Sequence, residues 1–327
     1  MSVVGERTRA EVVDEIRANE KFLLVTHENP DGDALGSLVA MQELLRELAK
    51  DSVMFIAADE FPLPHEYRFL GLAGHVSSAP ADEDERTVVY LDCGNLDRNP
   101  MVPAAGAPIL NIDHHHDNTC FGSVNHVVAD ASCTAEIVWD LAHALGVEPG
   151  LAMAEALYVG LVTDTGRFMY RNTGPRAHAM AAELLETGVD VFDVYRRIYE
   201  GVPHGKLALL ARGLAAVERH DGGALTITRL TAEDFGLADA EESYSEGVID
   251  HLRALQGTAV AALVRDRLDS PGLQKVSLRA SDERVDVSRI AREQGGGGHP
   301  QAAGFTTSEP WDELVAFLRD AIDAQLA

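Results

Sequence analysis

Short apolar runs alternate with amphipathic segments along the first 188 residues of the chain. The apolar runs are rich in Val, Ile, Leu and Phe and predict buried β-strands at residues 22–26, 53–57, 87–91 and 108–112. Apolar side chains at helical spacing predict helices at residues 34–49, 132–145, 151–162 and 175–185. Ser132 stands where an N-cap is expected, and Pro175 opens its helix at a position that favours proline. Alternating strands and helices indicate a mostly parallel sheet with helices on both faces.

The pattern changes after Gly188. Residues 192–199 and 206–218 have helical spacing and are separated by glycine and proline, as in a connection between domains. Further predicted strands lie at residues 224–229, 258–265 and 274–280, and further helices at residues 288–293 and 311–325. We therefore expect an α/β protein in three parts. These are a catalytic domain at 1–188, a helical linker at 189–219 and a smaller α/β domain at 220–327.

Residues with metal-binding side chains cluster where the predicted strands end. They are His27, Asp31 and Asp33 after the first strand, Asp92 after the third, Asp113, His114 and His115 after the fourth, and Asp164 after the helix at 151–162. The turn with Asp31 and Asp33 could be explained by turn chemistry alone, because Asp, Asn, Pro and Gly favour turns. Since the carboxyl ends of parallel strands share one edge, where α/β sheets bind ligands, the convergence of all four segments indicates a site.

Several carboxylates at one sheet edge would repel one another unless a cation neutralised them. Mixed imidazole and carboxylate ligands favour manganese, iron, cobalt or zinc over magnesium, which prefers oxygen ligands. The sequence therefore predicts divalent metal ions at this edge, and we expect manganese.

The formal net charge is −26. A protein that tracks along nucleic acid needs a basic groove, so long polyanions are disfavoured as partners and a short phosphate-bearing substrate is expected. The alternative is that the acidic excess serves solubility. Three cysteines without CxxC spacing indicate neither a disulfide framework nor a structural zinc site. A charged N-terminus and the absence of an apolar run of about 20 residues predict a cytoplasmic protein without a membrane anchor.

These motifs, in their order and approximate spacing, resemble those of the DHH phosphoesterases. The segment Gly-Gly-Gly-Gly-His-Pro-Gln-Ala-Ala-Gly at 295–304 resembles the signature of the companion DHHA1 domain. The resemblance covers nearly the whole chain. Its length and two-domain layout are similar to the nanoRNase A type, described as bifunctional oligoribonucleases and phosphoadenosine-phosphate phosphatases.

The resemblance implies a role for each matched residue. His27 and Asp31 would hold one metal ion, Asp33, His114 and Asp164 a second, and Asp92 would bridge the two. Asp113 would accept a hydrogen bond that fixes an imidazole tautomer, and His115 would face the substrate phosphate. A third consecutive histidine, His116, departs from the pattern and is given no role.

The glycine-rich segment lacks the Gly-Lys-Ser/Thr ending of a P-loop, and a flexible loop is its simplest interpretation. Placed between two predicted helices, it could instead cradle a phosphate with backbone amides. The resemblance supports substrate binding by Arg279, Gly296, Gly297, Gly298 and His299.

The expected function is two-metal-dependent hydrolysis of short oligoribonucleotides to mononucleotides, of adenosine 3′,5′-bisphosphate to AMP, or of both. Cyclic dinucleotide hydrolysis is the nearest alternative, and a nucleotide-sensing module that does not cut is another. Pyrophosphatases of this family are not expected to carry the glycine-rich signature, and RecJ-type exonucleases are expected to be longer and more basic. A homodimer is compatible with the sequence.

Overall fold

The computed structural model describes residues 3–61, 63–99, 101, 103–104 and 106–326. The chain divides into two units, Met1–Glu200 and Gly201–Ala327. Of the two helices that we placed in a linker, the first ends at Tyr199 and belongs to the first unit, whereas the second begins at His204 and belongs to the second. No helix in the described part of the chain combines the length and apolar content that a membrane span requires.

A five-stranded parallel sheet forms the first unit, in the order β2-β1-β3-β4-β5. Its strands are β1 (Lys21–Val25), β2 (Asp51–Met54), β3 (Thr87–Leu91), β4 (Ile109–Asp113) and β5 (Val124–Val127). Its helices are α1 (Val3–Ala18), α2 (Gly32–Glu47), α3 (Thr134–Leu145), α4 (Leu151–Asp164), α5 (Pro175–Glu186) and α6 (Val191–Tyr199).

Successive side chains of the sheet face two different apolar clusters. Phe22 and Leu24 of β1 pack into a large cluster with the helices, and Leu23 and Val25 pack into a smaller one on the opposite face. Burial on both faces explains why these strands appear in the sequence as continuous apolar runs. Since β1 lies between β2 and β3, the strand order reverses at β1, and a crevice forms outside the carboxyl ends of β1 and β3.

The apolar pattern identified four of the five strands, with β2 beginning two residues earlier than predicted. It missed β5, whose residues Asn125 and His126 interrupt any apolar run, and α1, which lies in the charged N-terminal segment. The residues Val12, Val13 and Ile16 form the buried face of α1. The α/β class with a mostly parallel N-terminal sheet is confirmed.

Helices α2 and α4 approach closely because both carry glycine at their contact. A Cβ atom on Gly36 would lie 2.5 Å from the carbonyl oxygen of Ala156 and 3.0 Å from the backbone nitrogen of Gly160. Both neighbouring atoms belong to a helix backbone and cannot move aside at low cost. This contact sets the distance between the two helices. Helix α2 begins beside Asp31 and Asp33 of the predicted site, and α4 ends at Asp164.

We expect Gly36→Ala to destabilise the first unit by about 2 kcal/mol, because overpacking outweighs the better helix propensity of alanine. Gly236 lies inside a helix of the second unit, and a Cβ atom there would meet nothing within 4 Å. Gly236→Ala is therefore the matched control and should stabilise slightly. Thermal unfolding of both variants tests the contact, and an unchanged unfolding midpoint for Gly36→Ala would contradict it.

A buried histidine makes the first unit sensitive to acid. His126 is fully buried on β5, its Nδ1 atom lies 2.9 Å from Oγ1 of Thr8, and no described residue bonds its Nε2 atom. Burial lowers its pKa to about 4, whereas an unfolded chain has a histidine pKa of about 6.5. Between these values the unfolded chain binds a proton that the folded chain does not, so stability falls as the pH drops through this window.

The contribution of His126 to this loss is about 3 kcal/mol between neutral pH and about pH 4. His126→Gln cannot be protonated and should lose less stability than the wild type over the same range. Urea unfolding of both proteins at several pH values measures the difference. Parallel stability profiles would show that His126 is not the titrating group.

A six-stranded mixed sheet forms the second unit, in the order β10-β11-β9-β8-β7-β6. Its strands are β6 (Glu218–His220), β7 (Leu225–Leu230), β8 (Val260–Asp266), β9 (Gln274–Ala280), β10 (Gly297–His299) and β11 (Ala302–Thr307). Its helices are α7 (His204–Ala215), α8 (Ala232–Ala238), α9 (Val248–Arg253), α10 (Val287–Glu293) and α11 (Trp311–Leu326). Among the described strands of this sheet, only β7 and β8 pair in parallel.

We expected the glycine-rich segment to lie between two helices, and this expectation is wrong. The segment follows α10 but continues as β10, which pairs antiparallel with β11. A Cβ atom on Gly296 would lie 2.2 Å from the carbonyl oxygen of Gly304, and one on Gly298 would lie 2.5 Å from that of Ala302. The glycines at 296 and 298 therefore permit close pairing of two strands, a requirement that the sequence pattern did not reveal.

Candidate metal centre

Asp33 lies at the N-terminus of α3 although the two are a hundred residues apart in the chain. Its Oδ2 atom accepts a hydrogen bond from the backbone nitrogen of Thr134 at 2.6 Å, and its Oδ1 atom accepts one from Ala135 at 2.9 Å. The carboxylate thus caps α3, and the helix dipole favours its negative charge. Our assignment of Ser132 as N-cap is wrong, because the N-cap is Cys133 and the Ser132 side chain bonds to Glu136.

Asp92 follows β3 with a left-handed backbone, at φ 57°. This conformation is uncommon outside glycine but is tolerated by Asp, and it occurs at functional sites. The residue is 2% exposed, and Oδ1 accepts a hydrogen bond from the hydroxyl of Thr134 at 2.9 Å. Thr134 therefore fixes both Asp33 and Asp92.

The two oxygens of Asp92 face two different histidines. Oδ2 lies 3.6 Å from Nε2 of His27, and Oδ1 lies 3.5 Å from Nε2 of His114. The Nε2 atom of His114 also lies 4.0 Å from Asp33 and 3.8 Å from Asp164. Each of these nitrogen–oxygen distances is longer than a usual hydrogen bond. The nitrogen and the oxygen of each pair could nevertheless both bind one metal ion, at the usual bond lengths of about 2.0–2.2 Å.

The structure brings all six predicted metal ligands together in neighbouring groups. One ligand atom from each residue lies within 4.8 Å of the others in the two groups His27, Asp31, Asp92 and Asp33, His114, Asp164. A third group combines Asp92 with His114 and His115. Asp31 is the most exposed of the ligands, and its Oδ1 atom also caps α2 through the backbone nitrogens of Asp33 and Ala34.

Simultaneous ionisation of the carboxylates in this cluster is unfavourable. Burial and the charge of Asp92 hold the pKa of Asp33 well above its ordinary value. Burial also raises the pKa of Asp164 to about 6, although His114 opposes the shift. The pKa of Asp92 is lowered despite its burial, because His27 and the other histidines surround it. A cluster of buried carboxylates that repel one another, with imidazole nitrogens facing them, fits divalent metal ions.

Asp164 is the last residue of α4, and the following loop returns to it. The side-chain nitrogen of Asn172 donates to Oδ2 of Asp164 at 3.1 Å and to the backbone oxygen of Ser132 at 2.8 Å. Asn172 thereby ties Asp164 to the start of α3. The sequence analysis predicted neither Asn172 nor Thr134, since a residue that orients a predicted ligand need not lie near it in the chain.

His115 forms a chain of hydrogen bonds with two residues behind it. Its Nδ1 atom lies 2.7 Å from Oδ1 of Asp113, and Asn118 donates to Oδ2 of Asp113 at 2.6 Å. Asp113 is fully buried, whereas the His115 side chain is 29% exposed. The pKa of His115 rises to about 9 despite its burial, because Asp113 bonds the protonated ring. The adjacent His116 is exposed.

The predicted substrate-binding residues lie in the second unit. Arg279 is half-buried on β9, opposite Ala302, and Ala302 pairs with His299 across the β10–β11 hairpin. The register therefore places Arg279 and His299 in one row across the sheet. The side chain of His299 lies outside the described part of the structure. A Cβ atom on Gly297 would meet nothing within 4 Å.

Comparison with known proteins gives two domain matches. Residues 21–161 match the DHH family, N-terminal domain, and residues 234–327 match the DHHA1 domain. The first match contains all predicted metal ligands except Asp164, and the second contains Arg279 and the segment at 296–299.

Relatives and solved structures extend the likeness over most of the chain. The bifunctional oligoribonuclease and PAP phosphatase NrnA of Thermus thermophilus is 36% identical over 86% of this chain and 83% of its own. The Bacillus subtilis protein of the same name is 26% identical over 95% of this chain and 97% of its own. An exopolyphosphatase-related protein from Bacteroides fragilis, 23% identical, has the same fold with a TM-score of 0.87 over 98% of this chain and 96% of its own. The chain thus belongs to the DHH family, as a DHH–DHHA1 phosphoesterase of the nanoRNase A type.

Proposed function

We propose that this protein is a two-metal-dependent phosphoesterase that hydrolyses short oligoribonucleotides to mononucleotides and adenosine 3′,5′-bisphosphate to AMP. The observation that carries the proposal is the placement of Asp92 between two groups of ligands, with one oxygen toward His27 and the other toward His114. The names of the Thermus thermophilus and Bacillus subtilis relatives supply the substrate class.

His27 and Asp31 would hold one divalent ion, Asp33, His114 and Asp164 the other, and Asp92 both. Manganese is our preferred metal, because the ligands mix imidazole with carboxylate. When bound, such ions lower the pKa of water and neutralise charge on phosphoryl oxygens. Thr134 and Asn172 would keep the side chains of Asp33, Asp92 and Asp164 in position when metal ions bind to them.

His115 would contact the substrate phosphate. With a pKa of about 9 it carries a proton at neutral pH, and Asp113 holds that proton-bearing ring by its Nδ1 atom. The Nε2 atom is then free to donate a hydrogen bond to a phosphoryl oxygen, where negative charge develops during hydrolysis. The same proton could pass to the leaving oxygen.

The second unit carries the predicted substrate-binding residues. We propose that the guanidinium of Arg279 pairs with a phosphate or stacks on a base, and that backbone amides at 296–298 together with His299 assist it. The net charge of −26 disfavours long nucleic acid as a substrate.

A product assay tests the proposed function. Manganese-loaded protein is offered a 5′-phosphorylated dinucleotide, adenosine 3′,5′-bisphosphate, cyclic di-AMP and pyrophosphate under identical conditions. Fast release of mononucleotides and AMP from the first two substrates supports the proposal. A preference for the cyclic dinucleotide would reassign the substrate, and no turnover of any of them would favour a binding module.

A further inference from the structure

One arginine lies at the edge of the metal centre without an assigned role. Arg98 ends a short 3-10 helix, Leu96–Arg98, in the loop that follows Asp92. Asn95 caps this helix through the backbone nitrogen of Asp97 at 2.7 Å. The backbone oxygen of Arg98 accepts a hydrogen bond from the backbone nitrogen of Glu28 at 2.6 Å. The loop therefore holds Arg98 against the turn that carries His27.

The same loop also lies against His115. A Cβ atom on Gly94 would be 3.7 Å from Cβ of His115 and 3.9 Å from Oδ2 of Asp113. The backbone oxygen of Gly94 accepts a hydrogen bond from Thr119 at 2.9 Å. The positive charge of Arg98 acts on His115 and on the Cys93 thiol, in each case opposing a raised pKa. The loop from Gly94 to Arg98 thus lies between the two histidine-bearing turns of the centre.

The guanidinium of Arg98 is uncommitted although the residue is half-buried. Among the described residues, no hydrogen bond or ion pair involves its side chain. Other arginines of the first unit with partly buried side chains are paired. Arg86 binds Asp82 and Asp51, and Arg9 binds Asp140. A partly buried arginine normally has an anionic partner. Arg98 has none among the described residues, and an anionic ligand could take that place.

We propose that Arg98 binds the substrate phosphate that His115 contacts, as a further residue of the active site. This inference rests on the proposed function, since it takes a phosphate ester as the ligand. A guanidinium presents a planar fork that matches two phosphoryl oxygens, whereas the imidazole of His115 offers a single donor. In a chain of net charge −26, a fixed cation beside the carboxylates also lowers the barrier to entry of an anion.

The experiment compares Arg98→Met with Arg98→Lys and with a surface control, Arg46→Met. Arg46 lies in the last turn of α2, its side chain is 64% exposed, and it pairs with Glu43 and Glu47. With adenosine 3′,5′-bisphosphate and a 5′-phosphorylated dinucleotide, we expect Arg98→Met to lower kcat/KM at least about 30-fold. Arg98→Lys should recover part of this loss, because it keeps the charge but not the fork. Arg46→Met should behave as wild type.

Inorganic phosphate provides a readout that does not depend on turnover. Calorimetric titration of the manganese-loaded proteins should show phosphate binding at least about tenfold weaker in Arg98→Met than in wild type, with unchanged manganese stoichiometry. Equal phosphate affinity together with a kcat/KM within threefold of wild type would overturn the inference. If Arg98→Met does not fold, Arg98→Gln takes its place. A wild type that binds phosphate through Arg98 but cleaves neither substrate would contradict the proposed function and leave this inference intact.

Discussion

Asp92→Ala is expected to lower kcat by at least about 10³-fold while the protein remains folded. Asp92 is the residue whose two oxygens face two groups of predicted ligands, so its loss would affect both proposed metal positions at once. It also removes the partner of the Thr134 hydroxyl. No other single replacement in the centre should have a larger effect on hydrolysis.

Asp84→Ala is the matched control for this prediction. Asp84 is exposed in a 3-10 helix, Glu83–Glu85, just before the amino end of β3, whereas Asp92 follows its carboxyl end. The two substitutions thus remove the same side chain at opposite edges of the sheet. Calorimetry with manganese should show fewer bound ions for Asp92→Ala and no change for Asp84→Ala. Activity of Asp92→Ala within about tenfold of wild type would disprove the two-metal assignment.

His115→Asn is expected to have the second largest effect, a loss of about 10²- to 10³-fold in kcat. The asparagine cannot carry the proton that Asp113 stabilises on the imidazole. Because His115 is proposed to contact phosphate rather than to hold a metal, manganese stoichiometry should stay unchanged. The combination of lost turnover with retained metal distinguishes His115 from Asp92 and His114.

His116→Asn is the matched control for this prediction, because His116 is the next residue in the chain and has the same side chain. His116 is exposed, and the structure gives no reason for His116→Asn to change either kcat or metal binding. Steady-state kinetics of both variants on adenosine 3′,5′-bisphosphate decide the matter. Equal losses in the two variants would indicate a general disturbance of the loop after β4, and equal activity would remove His115 from the mechanism.

The sequence alone predicted the parallel sheet of the first unit and the cluster of side chains at its edge because of one regularity. In a parallel sheet every strand ends at the same edge, so residues that directly follow β1, β3 and β4 must converge wherever the helices lie. The apolar runs located these strands, and the positions of His27, Asp92 and His114 followed from them. The strands β5, β6, β10 and β11 were not predicted. Of these, β5 is polar and β10 glycine-rich, and such segments take their conformation from the strands beside them.

Only the tertiary structure decided how the predicted ligands are held. Asp33 caps a helix that begins a hundred residues later, and Asn172 joins Asp164 to the start of that helix. The backbone of Arg98 bonds to Glu28, in the turn that carries His27, and Gly94 of the same loop lies beside His115. Hydrogen bonds and charges act through space, between residues whose separation in the chain is arbitrary. The periodicity of a sequence reports which side chains are buried, and it carries no information about which buried groups are partners.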